Sequence, residues 1–154
     1  GEFAKSINQY FPNSPLYLFD TFEGFNNLDF VHEEDESLLD ANHFKNTSVE
    51  HVINRMPFAS NCLIRKGYFP ETTVDIHDDF IFVSLDLDLY KPTLEGLIFF
   101  YPKLVQGGCI LIHDYFMASY PNVKKAVEEY QNSYHTNLVK IPIGDDLSIA
   151  IIKT

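Results

Sequence analysis

Short apolar runs and amphipathic stretches follow one another along the chain, which indicates strands that alternate with helices. Four apolar runs bounded by turn residues predict strands: LYLFD (16–20), NCLIRKGYF (61–69), FIFVSLDLD (80–88) and CILIHDYF (109–116). Helical spacing of apolar residues predicts helices over 2–11, 46–56, 92–104 and 121–134. The last two runs, 138–144 and 147–154, predict a hairpin. The pattern therefore predicts an open α/β sheet, mainly parallel, with an antiparallel hairpin at its C-terminal end.

Local signals refine some boundaries of these elements. Thr47 is followed three residues later by Glu50, a capping-box pattern that predicts the start of the second helix. Pro92 suits the first turn of the third helix, and the glycines of QGG (106–108) predict its end. The stretch 29–40 is rich in Asp and Glu, as is typical of a solvated loop or helix face.

Composition mainly excludes classes of protein. A length of 154 residues with 45% hydrophobic residues predicts a single folded domain over 1–154. The net charge of −11 would repel nucleic acid. No signal peptide is visible and no apolar run approaches the roughly 18 residues needed to cross a membrane. Cys62 and Cys109 lie in apolar runs without metal-ligand spacing, which predicts free thiols and a cytoplasmic location.

Polar residues stand at the end of each predicted strand, at the edge where open α/β sheets bind ligands. They are Asp20, Lys66–Phe69, Asp86 with Asp88, and His113–Tyr115. An acid at such a strand end can accept hydrogen bonds from both ribose hydroxyls of a nucleotide cofactor. Asp20 is the candidate for this ribose-binding role. The alternative is that Asp20 caps a turn or helix.

The acids at the ends of the third and fourth predicted strands predict a metal site. Crowded carboxylates repel one another, and a divalent cation removes that cost. Asp86 and Asp114, with Asp88 as a further candidate, are hard oxygen ligands for Mg²⁺, Ca²⁺ or Mn²⁺, and a nitrogen from His113 would favour manganese or another transition metal. Alternatively, Asp88 caps the next helix and His113 packs inward. Because His113 and Asp114 are adjacent, both reach one ion only if the strand ends or twists there.

Several segments together resemble the macrocin O-methyltransferase family. They are LYLFDTFEGF, KGYFPET, SLDLDLYKPT followed by GG and HDY, VKKAVEEY, and the final PIGD with AIIK. The resemblance covers essentially the whole chain. It implies a Rossmann-like class I methyltransferase fold, with S-adenosylmethionine and a divalent metal, expected to be Mg²⁺, as cofactors. The implied reaction is methylation of a hydroxyl on a sugar or similar small-molecule acceptor.

The resemblance also implies roles for the cofactor-binding residues. Asp20 matches the acid that holds the cofactor ribose. Gly1 matches the last glycine of the Gly-rich first motif, so the first strand and most of that motif are expected to lie ahead of it. Tyr68 and Phe69 fall in the loop expected near the adenine.

For the metal, the resemblance assigns Asp86 as a ligand and catalytic base and Asp114 as a second ligand. His113 is also a candidate ligand, but it stands where many members of the family have an acid. That departure leaves the identity of the metal open.

Two other functions are compatible with the same residues. The pair Asp86 and Asp88 also fits a metal-dependent glycosyltransferase that binds a nucleotide sugar through manganese. A degenerate methyltransferase domain that serves as a non-catalytic binding module is the other alternative, and His113 favours it. Exposed aromatic side chains favour a homodimer.

Overall fold

The computed structural model describes residues 1–25, 29–30, 33 and 47–154, which belong to two compact units. The first unit comprises Gly1–Asn26 and Asp40–Asp75, and the second comprises Asn27–Leu39 and Ile76–Thr154. A single domain over 1–154 stays a prediction.

The described elements follow the predicted alternation. The helices are α1 (Glu2–Tyr10), α2 (Val49–Ile53), α3 (Tyr90–Lys103) and α4 (Pro121–Ser133). The strands are β1 (Leu16–Asp20), β2 (Cys62–Lys66), β3 (Phe80–Leu85), β4 (Leu104–Ile112), β5 (Val139–Pro142) and β6 (Ile149–Ile152). No helix among the described residues is both long and apolar enough to cross a membrane.

The first unit contains a two-stranded parallel sheet. β1 pairs with β2 in a register that runs from Leu16 opposite Cys62 to Asp20 opposite Lys66, so both carboxyl ends lie at one edge. The buried side chain of Asn8 on α1 brackets the backbone of Phe58, because its Nδ2 donates to the carbonyl oxygen at 3.2 Å and its Oδ1 accepts from the amide at 2.7 Å. These two bonds tie α1 to the segment that leads into β2.

Helix α2 begins one residue later than the capping-box pattern predicted. Ser48, in an extended conformation with φ −142°, is the N-cap, and its hydroxyl oxygen accepts from the amide of His51. Thr47 is therefore not the cap, and the prediction was wrong by one position. Both residues are favoured N-caps, so residue type alone does not separate them.

The second unit contains a four-stranded sheet in the order β3-β4-β6-β5. β3 and β4 are parallel, whereas β6 is antiparallel to both β4 and β5. α3 packs against α4 and against β3 and β4. The largest fully buried apolar side chains among the described residues of this unit are Leu89, Leu97, Ile110, Ile112, Val123, Val127 and Ile151. Each contributes roughly 1.5–3 kcal/mol to stability through burial.

The glycines at 106–108 do not end α3. The helix ends at Lys103, and Gln106, Gly107 and Gly108 lie within β4, where the pairing with β3 shifts register between Phe80 and Phe82. Gly107 has φ +79°, and a Cβ at Gly108 would come within 2.8 Å of a backbone oxygen. The prediction was wrong because a β-bulge and a helix C-cap both favour glycine.

Candidate functional site

The turn after β3 places Asp86 and Asp88. β3 ends at Leu85, so both acids follow the strand, whereas the sequence predicted a strand that continues to Asp88. Asp88 adopts a left-handed conformation with φ +61°, which Asp tolerates better than most residues. The amide of Leu89 donates to the carbonyl oxygen of Leu87 at 2.6 Å, which tightens the turn.

The turn after β4 places His113 and Asp114. β4 ends at Ile112, and the amide of His113 donates to the carbonyl oxygen of Leu85 at 2.9 Å, which joins the two strand ends. Asp114 adopts a left-handed conformation with φ +59°, within the turn that follows the strand. The strand thus ends where the sequence required it to end for both side chains to reach one point.

Asp86, His113 and Asp114 form a cluster, called here the acid–histidine cluster. Nδ1 of His113 lies 3.3 Å from Oδ1 of Asp86 and 2.8 Å from Oδ2 of Asp114. One ligand atom from each of the three residues lies within 4.8 Å of the other two. The side chain of Asp86 is 64% exposed and that of Asp114 only 5%, so the cluster is open to solvent on the Asp86 side.

The pKa values around the cluster reflect crowded negative charge. Although the side chain of Asp86 is 64% exposed, neighbouring atoms exclude water from part of its carboxylate, and this desolvation is the first cause that raises its pKa. The pKa of Asp88 rises to about 7, first through burial and then through a hydrogen bond with Asp114 and the charge of Asp86. Burial lowers the pKa of His113, but Asp114 and Asp86 outweigh this effect and raise it. A cation at this place would relieve the repulsion among the carboxylates.

The donor atoms fit a divalent cation. Nδ1 of His113 is buried, and despite its short distance to Asp114 it makes no well-directed hydrogen bond within the described part of the chain. A buried ring nitrogen that converges with two carboxylate oxygens is a donor set that divalent metals accept.

Tyr120 is a further residue beside the cluster that the sequence did not single out. Burial, and then the charges of Asp88, Asp114 and Asp86, raise the pKa of its hydroxyl. Tyr120 immediately precedes α4, and its amide donates to the carbonyl oxygen of Met117. No motif spacing marks this tyrosine, because it reaches the acids through the turn after β4.

The predicted cofactor residues lie in the first unit. Asp20 is exposed at the end of β1, where its Oδ1 accepts from the amide of Phe22 at 2.6 Å. The amide of Gly67 donates to the carbonyl oxygen of Asp20, so the loop after β2 lies beside this acid. Phe69 of that loop contacts Phe19 edge to face, with ring centroids 5.7 Å apart.

Asp20, Tyr68 and Phe69 are thus brought to one edge of the two-stranded sheet. The hydrogen bond to Phe22 also gives Asp20 the turn-forming role that the sequence left open. Gly1 is the N-cap residue of α1, and a Cβ there would lie 3.7 Å from Val52. The cofactor roles of these four residues stay predictions.

Glu33 has a position that the sequence did not predict. Its Oε1 accepts from the amide of Tyr90 at 2.7 Å, and its Oε2 accepts from Nδ2 of Asn122 at 2.5 Å. Tyr90 begins α3, which has no side-chain cap of its own, and Asn122 is buried in the first turn of α4. Glu33 therefore ties together the starts of the two helices that follow the acid-bearing turns.

The prediction of a solvated acidic face over 29–40 does not hold for Glu33 or for Asp29, which is buried. The rest of that stretch, except Phe30, lies outside the described residues. The sequence could not reveal the partners of Glu33, because they are 57 and 89 positions away along the chain.

The loop between β5 and β6 is held by Asp145. Its Oδ1 accepts from the amides of Leu147 at 3.0 Å and Ser148 at 2.7 Å. The hydrogen bonds from Ser148, followed by that from Leu147, lower the pKa of Asp145 to about 2. This arrangement keeps the loop in a fixed conformation beside the turn after β4, because the amide of Phe116 donates to the carbonyl oxygen of Leu147.

Replacing Asp145 by Asn is expected to remove a stabilising contribution that depends on pH. The folded pKa lies below the ordinary value of 3.8, so the contribution is complete above about pH 4 and is lost as the pH falls through about 2. The difference in free energy of unfolding between wild type and Asp145→Asn should therefore shrink over this interval in urea titrations. Asp146→Asn is the matched control. An equal difference at pH 2 and pH 5 would contradict this role of the Asp145 charge.

Comparisons with known proteins agree with this architecture. The solved structure of the O-methyltransferase NovP superposes with a TM-score of 0.75 at 24% identity, over 97% of this chain and 65% of that chain. The calicheamicin methyltransferase CalS11 superposes with a TM-score of 0.67 at 19% identity, again over 97% and 65%. CalS11 has also been solved in its apo form, under the name TDP-rhamnose 3'-O-methyltransferase. The fold is therefore the class I methyltransferase fold, as predicted.

The profile of the Macrocin-O-methyltransferase (TylF) family matches residues 8–145, and the chain belongs to this family. A curated relative, the demethyldecarbamoylnovobiocin O-methyltransferase of Streptomyces niveus, is 36% identical over 83 residues. That match covers 53% of this chain and 28% of the relative. The chain spans 65% of the length of the NovP chain.

Proposed function

We propose that this chain carries the catalytic part of an S-adenosylmethionine-dependent O-methyltransferase that acts on a hydroxyl of a sugar-like small molecule with the help of a divalent metal. The acid–histidine cluster carries this proposal, because it lies at the carboxyl ends of two parallel strands in a chain of the macrocin O-methyltransferase family. Relatives are named for a novobiocin precursor and for TDP-rhamnose, which supports a sugar-like acceptor.

Asp86, His113 and Asp114 would hold the metal. When bound, a divalent cation lowers the pKa of a coordinated hydroxyl and so favours the attacking oxygen. Asp86 is the candidate base, since its side chain is 64% exposed and an acceptor can approach it, whereas Asp114 is 5% exposed and serves only as a ligand. Magnesium is the metal that the family resemblance implies. The nitrogen of His113 instead favours a transition metal at the same site.

In this proposal the first unit binds the methyl donor. Asp20 accepts hydrogen bonds from the ribose hydroxyls, Tyr68 and Phe69 contact the adenine, and Gly1 lies near the cofactor at the start of α1. The common position of Asp20 and Phe69 at one sheet edge supports these roles. A homodimer and a cytoplasmic location stay predictions from the sequence.

Asp20→Ala is expected to raise the dissociation constant for S-adenosylhomocysteine roughly tenfold to a hundredfold, because hydrogen bonds to a charged group contribute about 1.5–3 kcal/mol. Isothermal titration calorimetry of the chain in the presence of Mg²⁺ measures the change. Glu23→Ala is the matched control, since it removes another exposed carboxylate near the same strand end.

Equal affinities of wild type and Asp20→Ala would remove Asp20 from the cofactor site. No binding of S-adenosylhomocysteine to the wild-type chain would favour the non-catalytic binding module. Binding of a nucleotide sugar in its place would favour the glycosyltransferase.

A further inference from the structure

Glu33 bridges the starts of two helices, and the proposed mechanism gives it no role. Its Oε1 accepts from the amide of Tyr90 at 2.7 Å, and its Oε2 accepts from Nδ2 of Asn122 at 2.5 Å. Hydrogen bonds to a charged acceptor are stronger than those between neutral groups. Both bonds also lie at helix N-termini, where negative charge is stabilised. The bridge therefore holds the start of α3 to the start of α4.

A short, tight turn connects Asp86 to the start of α3. The helix begins at Tyr90, four residues after Asp86. Between them the amide of Leu89 donates to the carbonyl oxygen of Leu87 at 2.6 Å, and the side chain of Leu89 is fully buried. The start of α3 has no side-chain cap from its own N-cap residue, so the carboxylate of Glu33 supplies the acceptor there. A shift of the helix start is thus passed on to Asp86.

Three successive turns connect Asp114 to the start of α4. The amide of Met117 donates to the carbonyl oxygen of Asp114 at 3.0 Å. The amide of Tyr120 donates to the carbonyl oxygen of Met117, and the amide of Val123 to that of Tyr120, both at 3.2 Å. Asn122, which is 3% exposed, lies inside the last of these turns. The segment is bonded at every third residue, so a shift at Asn122 is passed back to Asp114.

The two turns supply different ligands of the acid–histidine cluster. Asp86 belongs to the turn after β3, whereas His113 and Asp114 belong to the turn after β4. At the strand ends, the amide of His113 joins the two turns by donating to the carbonyl oxygen of Leu85 at 2.9 Å. At the helix starts, the bridge of Glu33 joins them. The separation of the ligands therefore depends on a tie at each end of the turns.

Packing between α3 and α4 does not replace this bridge. The two helices contact each other along their lengths. Apolar contacts are non-directional, however, and they set the position of a helix start less closely than directed hydrogen bonds do. A binding site requires its groups to be held within about 0.5 Å of the productive geometry. The bridge supplies that precision at the ends of the helices nearest the cluster.

We infer that Glu33 is a positioning residue for the metal: by holding the starts of α3 and α4 together, it keeps Asp86 at coordinating distance from the ligands of the other turn. This inference rests on the proposed function, because it concerns the same metal site. Glu33 acts through Tyr90 and Asn122 and has no contact with the metal in this role.

Glu33→Ala is expected to raise the dissociation constant for Mn²⁺ roughly tenfold. Loss of a group behind a metal ligand commonly weakens binding about 10–100-fold, and Glu33 belongs at the lower end because it acts through the backbone of the turns. Glu33→Gln is expected to raise the constant only roughly threefold, since its amide oxygen still accepts from Tyr90. Electron paramagnetic resonance of free Mn²⁺ measures each affinity without an acceptor or turnover.

Leu138→Ala separates positioning from a general loss of stability. Leu138 is 5% exposed and directly precedes β5, whose first residue pairs with Ile152 at the end of the sheet opposite the cluster. Truncation of a buried leucine destabilises a domain strongly, as loss of the bridge is also expected to do. Leu138→Ala is nevertheless expected to keep the wild-type affinity for Mn²⁺. Urea unfolding of each variant verifies that it is folded and measures its stability.

Wild-type affinity for Mn²⁺ in folded Glu33→Ala would overturn the inference, and so would an equal loss of affinity in Leu138→Ala. If Glu33→Ala does not fold, wild-type affinity in Glu33→Gln overturns it instead. Asp114→Asn, measured beside these variants, separates the two proposals. If Asp114→Asn loses Mn²⁺ while the Glu33 variants retain it, the metal site stands and Glu33 is only structural. No binding of Mn²⁺ by the wild-type chain would overturn the metal site, and this inference with it.

Discussion

Asp114→Asn is expected to raise the dissociation constant of this chain for Mn²⁺ roughly a hundredfold. Loss of an outer-shell partner of a metal ligand commonly weakens binding 10–100-fold, and a direct ligand should cost at least as much. Asp114 is buried, with its Oδ2 2.8 Å from Nδ1 of His113, so no bulk water replaces its charge easily. Electron paramagnetic resonance of free Mn²⁺ measures the affinity directly, without an acceptor.

The control for this prediction is Asp79→Asn, which removes an exposed carboxylate of the same unit outside the cluster. His113→Asp adds a discriminating variant, because it exchanges a nitrogen ligand for an oxygen ligand. We expect the preference for Mn²⁺ over Mg²⁺ to decrease in that variant, since imidazole favours transition metals and carboxylate favours Mg²⁺. Wild-type affinity in Asp114→Asn, or an equal loss in Asp79→Asn, would show that the cluster does not hold the ion.

Glu33→Ala is expected to lower the free energy of unfolding by about 3 kcal/mol. Two hydrogen bonds to one carboxylate are lost, each contributing roughly 1.5–3 kcal/mol before relaxation. The buried amide of Asn122 loses its partner, and the start of α3 loses a negative charge that favours a helix N-terminus. Urea unfolding followed by circular dichroism measures the loss.

Glu33→Gln should lose less, about 1 kcal/mol, because the amide oxygen still accepts from Tyr90 and the side chain of Asn122 can turn to accept from the new NH₂ group. The matched surface control is Glu128→Ala, whose carboxylate only approaches Lys124 at 4.0 Å and should cost less than about 0.5 kcal/mol. A loss in Glu33→Ala no greater than that in Glu128→Ala would show that the bridge contributes nothing.

Much of the fold could be predicted from the sequence because its elements have strong local periods. The apolar run at 80–85 and the hairpin around Asp145 and Asp146 were recognisable from neighbouring residues alone. The glycines at 106–108 were misread because a helix end and a bulge both need a backbone that glycine adopts easily. Which of the two forms depends on pairing with β3, which is a distant contact.

The candidate site was predicted for a reason that proved partly wrong. Parallel strands do bring Asp86 and Asp114 to one edge. The predicted strands include both acids, however, whereas in the structure each strand ends before its acid, and Asp88 and Asp114 lie in turns with left-handed backbone. The role of Glu33 could not be predicted, because its hydrogen bonds depend on where two helices far away in the sequence begin. Side-chain bridges of that kind have no local pattern, whereas strand ends do.

The left-handed backbone at Asp88 and Asp114 constrains how this site can lose its chemistry over evolution. At φ near +60° most side chains cost about 1 kcal/mol or more, and besides glycine it is mainly Asn that adopts the conformation as readily as Asp. Family members that keep this fold but lack the proposed metal site are therefore expected to carry Asn at these two positions more often than other non-glycine residues. An Asn at 114 would preserve the turn while removing the charge of a proposed ligand.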